Sequence, residues 1–155
     1  MNPRLRRLQA DFERVSATFK GHPHIQLIQT EGNPPEKYTF EFMLDGLVAG
    51  PGGSFNVGSV HRAEIFLPLD YPRRPPFCRM ITPVFHPNID AASICVGDHW
   101  TAGERLADLI IRIGEMIAYQ AYNIKSPLDA QAAMWADLNA DKFPIDPRNL
   151  HPAEM

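Results

Sequence analysis

The stretch from Asp70 to Trp100, DYPRRPPFCRMITPVFHPNIDAASICVGDHW, decides how the rest of the chain is read. Its opening carries Pro72, Pro75 and Pro76, whose rings fix φ and remove backbone donors, so regular structure stops there. Phe77 to Ile81 then predicts one short strand, with Cys78 and Met80 on one face and Phe77, Arg79 and Ile81 on the other. If the Cys78 face turns inward, Cys78 is a small buried hydrophobe, the usual fate of a free cysteine. Residues 82–100 contain no periodic run. A loop that long inside a compact domain tends to be functional, and this one holds His86, Asn88 and Cys95.

On the amino-terminal side, Asn2 before Pro3 reads as a helix N-cap with proline in the first turn. Leu5, Leu8, Phe12, Val15 and Phe19 recur at three- and four-residue spacing, which predicts an amphipathic helix ending near Gly21. Arg4, Arg7 and Arg14 fall largely outside the apolar stripe. Three extended segments follow: His24 to Thr30, Lys37 to Leu44 with Tyr38, Phe40, Phe42 and Leu44 alternating, and Val60 to Leu67 with Ala63, Ile65 and Leu67 alternating. Turns at Gly32–Pro35 and Gly50–Gly53 make them consecutive antiparallel strands.

On the carboxyl-terminal side, Thr101 and Glu104 have the spacing of a capping box. Leu106, Leu109, Ile110, Ile113 and Ile117 predict a long amphipathic helix to about Gln120. The segment YNIKSPL breaks it at Ser126–Pro127, and a short helix from about Leu128 to Leu138 follows. The tail FPIDPRNLHP has prolines too closely spaced for regular structure. The expected division is therefore a domain over residues 1–139 and a proline-containing tail over 140–155, in the α+β class.

With 155 residues, 45% hydrophobic and 21% charged, the chain has the balance of one soluble domain. No run approaches the roughly 18 apolar residues of a membrane span, and no apolar run follows the first basic residues. The net charge of −3 gives no broad reason to bind nucleic acid or an anionic membrane, despite the local cluster Arg4, Arg6 and Arg7. Two cysteines are too few for a disulfide framework, so a reduced, cytoplasmic setting is expected. The chain is expected to be a monomer.

A cysteine in a loop is the best neutral-pH nucleophile among side chains, and its leaving ability suits reversible acyl exchange. Other readings of these residues are a Cys78–Cys95 disulfide, a Cys95 dyad with His86 or His99, and a zinc site from Cys78, His86, Cys95 and His99. The dyad lacks an acidic orienting partner at a recognisable spacing, and the zinc site lacks a CxxC or HxxxH knuckle.

The ordered set YPRRPP at 71–76, HPN at 86–88, Cys95 seven residues after Asn88, Trp100 and then a long helix resembles the ubiquitin-conjugating enzymes. The basic first helix, the meander and an Asn-x-x-x-Pro-Leu break at Asn123 extend the resemblance over residues 2 to about 138. It implies that family's fold: an N-terminal helix, a four-stranded antiparallel meander, a long central helix and a short C-terminal helix.

The resemblance also implies a transferase chemistry. Cys95 would accept a ubiquitin-like protein as a thioester from an adenylating activating enzyme and pass it to an amine, normally a lysine of a target protein. ATP is used by that partner, so no cofactor or metal is expected here. Asn88 matches the asparagine that stabilises the tetrahedral oxyanion or braces the loop, two roles left open. Ser126 matches a gate position where a polar oxygen orients the incoming amine. His86, Pro87, Trp100 and Asn123 match structural positions near the site, and Arg4, Arg6 and Arg7 match the helix that docks the activating enzyme.

Several positions depart from the common pattern. Only VGDH separates Cys95 from Trp100, which would bring Asp98 or His99 near the sulfur. Arg73 stands where many relatives have a hydrophobic residue for RING-type ligases, and Thr101–Ala102 replace a Ser-Pro, so a standard RING partner is not expected. The shortened C-terminal region resembles compact bacterial members, some of which serve in antiviral defence operons. Competing readings are a non-catalytic module of the same fold that binds ubiquitin-like proteins, the RWD domain, which lacks the HPN loop and its cysteine, and a Cys-His hydrolase.

Overall fold

The computed structural model describes residues 2–51, 54–97 and 100–152. The chain opens with helix α1, Pro3–Phe19, capped where Asn2 Oδ1 accepts from the Leu5 N–H at 2.8 Å. Its inner face, Leu8, Val15 and Phe19, is buried. Each such side chain contributes about 1.5–3 kcal/mol by leaving water. The helix ends at Lys20, and Gly21 takes a left-handed φ of +70 to turn the chain toward the sheet.

Six strands follow: β1 Ile25–Gly32, β2 Pro35–Phe42, β3 Gly46–Ala49, β4 Phe55–Gly58, β5 His61–Phe66 and β6 Phe77–Met80. The main sheet runs β1-β2-β5-β6, all antiparallel, which is the four-stranded meander expected from the alternating residues. Phe40 faces Leu27 on one side and Ala63 on the other, and Ile65 faces Cys78. Tyr38, Phe40, Phe42, Ala63, Ile65, Cys78 and Met80 all turn into one core.

The β3–β4 hairpin is an addition to that expectation. It pairs Gly46 with Gly58 and Ala49 with Phe55, inserted between the second and third meander strands. Gly46 is required there because a Cβ would come within 2.7 Å of Ile117 Cγ2. Of the expected turn Gly50–Gly53, Gly52 and Gly53 lie outside the described residues.

Helix α2, Leu106–Ile117, is buried along most of its length and seals the sheet. Gly114 lets it settle against Phe42 and Leu150, where a Cβ would meet Leu150 Cδ1 at 2.8 Å. The capping box expected at Thr101 and Glu104 does not form. Thr101 O instead accepts from the Glu104 N–H in a tight turn, and the helix starts only after Arg105, which makes no side-chain cap. The Glu104 carboxylate is engaged by Arg112, eight residues on, at 2.6 Å. The helix also stops short of Gln120, at Ile117, because Tyr119 adopts a left-handed φ of 59.

Helix α3, Ala130–Leu138, is capped by Asp129, whose Oδ1 accepts from the Ala132 N–H at 3.0 Å. A short 3-10 turn, Ala140–Lys142, leads into the proline-containing tail. That tail is irregular but fastened down. The Ile145 N–H donates to Ala118 O, Asp146 Oδ2 accepts from the Asp45 N–H at 2.8 Å, and Leu150 enters the main core. A second, aromatic cluster gathers Phe55, Phe85, Tyr119, Trp135 and Phe143, with Trp135 edge-on to Phe55 at 4.8 Å.

Two of the α1 arginines are less exposed than their position off the apolar stripe suggests. Arg4 donates to Pro68 O at 3.1 Å. Arg7 donates to both oxygens of the buried Asp11, to Tyr71 Oη, and to the Ala102 and Glu104 carbonyls, with its guanidinium over the Tyr71 ring. Tyr71 in turn donates to Asp11 at 2.5 Å. The physical reason is the buried carboxylate, which needs a cation and donors around it. Arg6 and Arg14 remain exposed. No helix among the described residues is long and apolar enough to cross a membrane.

Candidate active site

The irregular loop is built from short local bonds. Asp90 Oδ1 accepts from the Ala92 and Ser93 N–H groups at 2.8 Å each, folding the chain back on itself. The Ile94 N–H then donates to Cys78 O, and the Cys95 N–H to Asn88 O at 2.9 Å. Ile94 and Val96 are buried on either side of Cys95, which leaves the cysteine itself partly exposed. No disulfide joins it to Cys78.

Three consecutive residues strap this loop to the segment leaving α2. His86 Nε2 lies 3.1 Å from Ala121 O and Nδ1 accepts from the Asn88 N–H at 3.0 Å, which makes Nε2 the protonated nitrogen. Pro87 O accepts from the Leu128 and Asp129 N–H groups. Asn88 Oδ1 accepts from the Asn123 N–H and Asn88 Nδ2 donates to Asn123 O, both at 2.8 Å. Asn123 Oδ1 then takes the Lys125 N–H, and Tyr119 Oη donates to Phe85 O just before the strap.

The strap encloses one cleft of about 300 Å³. Cys95, Asn88, Asn123 and Ser126 line it together, so four residues singled out in the sequence meet at one place. His86 and Pro87 are buried behind it. Trp100 does not line it. Its indole N–H donates to Pro72 O at 2.8 Å and its ring lies 5.7 Å from Tyr71. Ser126 is exposed at the rim. Asp98 and His99 lie outside the described residues.

The electrostatics separate the titratable groups sharply. Burial pushes the His86 imidazole down to about 4, against a weaker pull from its bond to Ala121, so it stays neutral at pH 7. With both nitrogens engaged by the backbone, it is neither a base for Cys95 nor a metal ligand. Burial pushes the Cys78 thiol up to about 12, opposed in part by the charge of Arg112. Cys78 is therefore unreactive at neutral pH. Among the described residues, no group of three or more His, Cys, Asp or Glu could hold a metal ion.

Arg112, Met116, Gln120 and Tyr122 also line the cleft and were not singled out in the sequence. Gln120 donates to Asp146 O and Arg148 O, tying the tail to the cleft wall. A signal for Arg112 was present, since it is the only cation inside the apolar run LADLIIRIGEMI.

Comparison with known proteins places this geometry in a family. A family profile described as ubiquitin-conjugating enzyme matches residues 7–146. Ubiquitin-conjugating enzyme E2 N of Drosophila melanogaster is 35% identical over 94 residues, 57% of this chain and 61% of that protein. Ubiquitin-conjugating enzyme E2 K of Homo sapiens is 29% identical over 150 residues, 92% of this chain and 70% of that protein. The chain thus matches only part of the length of these relatives. The crystal structure of a candidate ubiquitin conjugating enzyme from Plasmodium yoelii superposes with a TM-score of 0.62 at 21% identity, covering 92% of this chain and 89% of that one. At that identity the likeness speaks for the fold alone.

Proposed function

The chain belongs to the ubiquitin-conjugating enzyme family, and from that premise we propose that it carries a ubiquitin-like protein as a thioester on Cys95 and transfers it to an amine. In the loading step the Cys95 thiolate attacks the thioester carbonyl on an activating enzyme. A new C–S bond forms, the old one breaks, and the partner's cysteine leaves as thiolate. The exchange is nearly isoenergetic, and ATP is used on the partner, so this chain needs no cofactor of its own.

In the second step an amine, in our reading a lysine of a target protein, attacks the same carbonyl. The tetrahedral oxyanion collapses, the C–S bond breaks, and Cys95 leaves while the amine loses its proton to solvent. Asn88 has a second amide hydrogen beyond the one given to Asn123 O, and that hydrogen is the candidate donor to the oxyanion. Ser126 at the rim would orient the amine. The exposed Arg6 would meet the activating enzyme. A reducing, cytoplasmic setting suits a thiol that must remain reduced.

The observation that carries this reading is the shared cleft, which Cys95, Asn88, Asn123 and Ser126 line together. A competing Cys-His hydrolase through His86 lacks support, since that ring is buried and bonded on both nitrogens. The test is to supply ATP, activating enzyme and ubiquitin-like protein. A reductant-sensitive adduct should form on Cys95, and Cys95→Ser should give an ester that resists reductant. No adduct with cognate components would overturn the proposal.

A further inference from the structure

Arg112 stands in α2 between Ile111 and Ile113, both buried, yet it lines the Cys95 cleft. Its guanidinium is held at one end only. Nη1 donates to Glu104 Oε1 at 2.6 Å, and that ion pair is well shielded, with side-chain exposures of 24% and 14%. The other end, Nη2, is buried without a hydrogen-bond partner. A buried cationic donor left unpaired is costly, and such a group is best satisfied by a negative charge that appears beside it. The thiolate of Cys95 is the form that attacks in loading and the form that leaves in transfer.

We propose that Arg112, oriented by Glu104, is a positioning residue for the reaction, its charge on the cleft wall favouring the Cys95 thiolate. The inference rests on Cys95 being the acyl carrier. The lowered cost of the thiolate would speed loading and make Cys95 a better leaving group in transfer. The charge of Arg112 also pulls the Cys78 thiol down, against the larger effect of burial.

Among the described residues, the other charged or titratable groups on the surrounding elements do not replace it. Asp90 and Asp129 direct their carboxylates to the backbone of Ser93 and Ala132. His86 is neutral and bonded to backbone. Tyr122 and Lys125 lie on the exposed facing segment.

The test follows alkylation of Cys95 by iodoacetamide across pH on the full chain, with peptide mapping to separate Cys95 from Cys78. Arg112→Gln should raise the midpoint by about one pH unit, a loss of about tenfold in rate near neutral pH. Arg112→Lys should recover most of it. Glu104→Gln keeps an oxygen for Nη1 but removes the opposing charge, so its midpoint should fall. An unchanged midpoint in Arg112→Gln, or a rise in Glu104→Gln, each with native circular dichroism, would overturn the proposal. Should Arg112→Gln not fold, the Glu104→Gln and Arg112→Lys profiles decide. Alkylation requires no modifier or partner, so its outcome is independent of whether thioester loading succeeds.

Discussion

Asn88 and Asn123 form a closed pair in which the side-chain amide of the first meets the backbone N–H and C=O of the second, both at 2.8 Å. The pair braces the cleft and leaves the second Nδ2 hydrogen unused by Asn123, the hydrogen we propose as donor to the oxyanion. Asn88→Ala should slow discharge of a preformed thioester to free lysine by about 10²-fold. It should also cost about 2 kcal/mol of stability by orphaning the Asn123 backbone groups. Single-turnover discharge and urea melting measure the two effects separately. A stability loss with unchanged discharge would leave Asn88 a brace alone.

His86 makes stability depend on pH. Its folded value, about 4, lies below the 6.5 of an unperturbed imidazole, because burial disfavours the charged ring. Between those values the unfolded chain holds a proton that the folded chain does not. Stability is therefore complete above about pH 6.5 and falls as pH drops toward 4, by about 3 kcal/mol across the window. Urea midpoints taken through that range should show this slope, and His86→Gln should flatten it.

The α1 arginines are not equivalent probes of docking. Arg7→Ala would strand the buried Asp11 carboxylate and release the Ala102 and Glu104 carbonyls, costing about 3 kcal/mol. Arg6 is exposed, so Arg6→Glu should leave the melting temperature within about 2 °C while slowing thioester loading about tenfold at low salt. Equal loading rates for Arg6→Glu and the unmodified chain would remove Arg6 from the docking surface.

Asp146 anchors the tail by taking the Asp45 N–H and the Arg148 guanidinium, and those bonds, the Arg148 pair foremost, hold its carboxyl well below the usual range. Asp146→Ala should destabilise the fold by about 2 kcal/mol, chiefly through the orphaned Asp45 N–H. Because Gln120 on the cleft wall donates to Asp146 O, the same change should also slow amine transfer modestly. Chemical denaturation and thioester discharge read the two consequences.

The parts of the fold visible in the sequence are those where burial imposes a period. Tyr38, Phe40 and Phe42 alternate because one face of β2 is core, and Leu8, Val15 and Phe19 recur because one face of α1 is. Strands β3 and β4 were not visible, since burial does not alternate along either of them, unlike the equally short β6. Thr101 and Glu104 had the spacing of a cap, but the pull of Arg112 on Glu104 decided otherwise. At the site, the family resemblance carried by the ordered motifs singled out Cys95, Asn88, Asn123 and Ser126. The bonds that join them span 35 residues of chain, and the Glu104–Arg112 arrangement depends on two elements meeting, so neither could be read along the sequence.

The two tryptophans occupy opposite structural neighbourhoods, Trp100 against Tyr71 and the Pro72 carbonyl, Trp135 inside the aromatic cluster with Phe55 and Phe143. Their emission should accordingly divide the molecule into two optical halves. With Trp135→Phe, the remaining fluorophore watches the α1 side, where a partner would approach. With Trp100→Phe, it watches the α3 and tail side, so arrival of a partner and disturbance of the tail become separately observable in one cuvette without any attached dye.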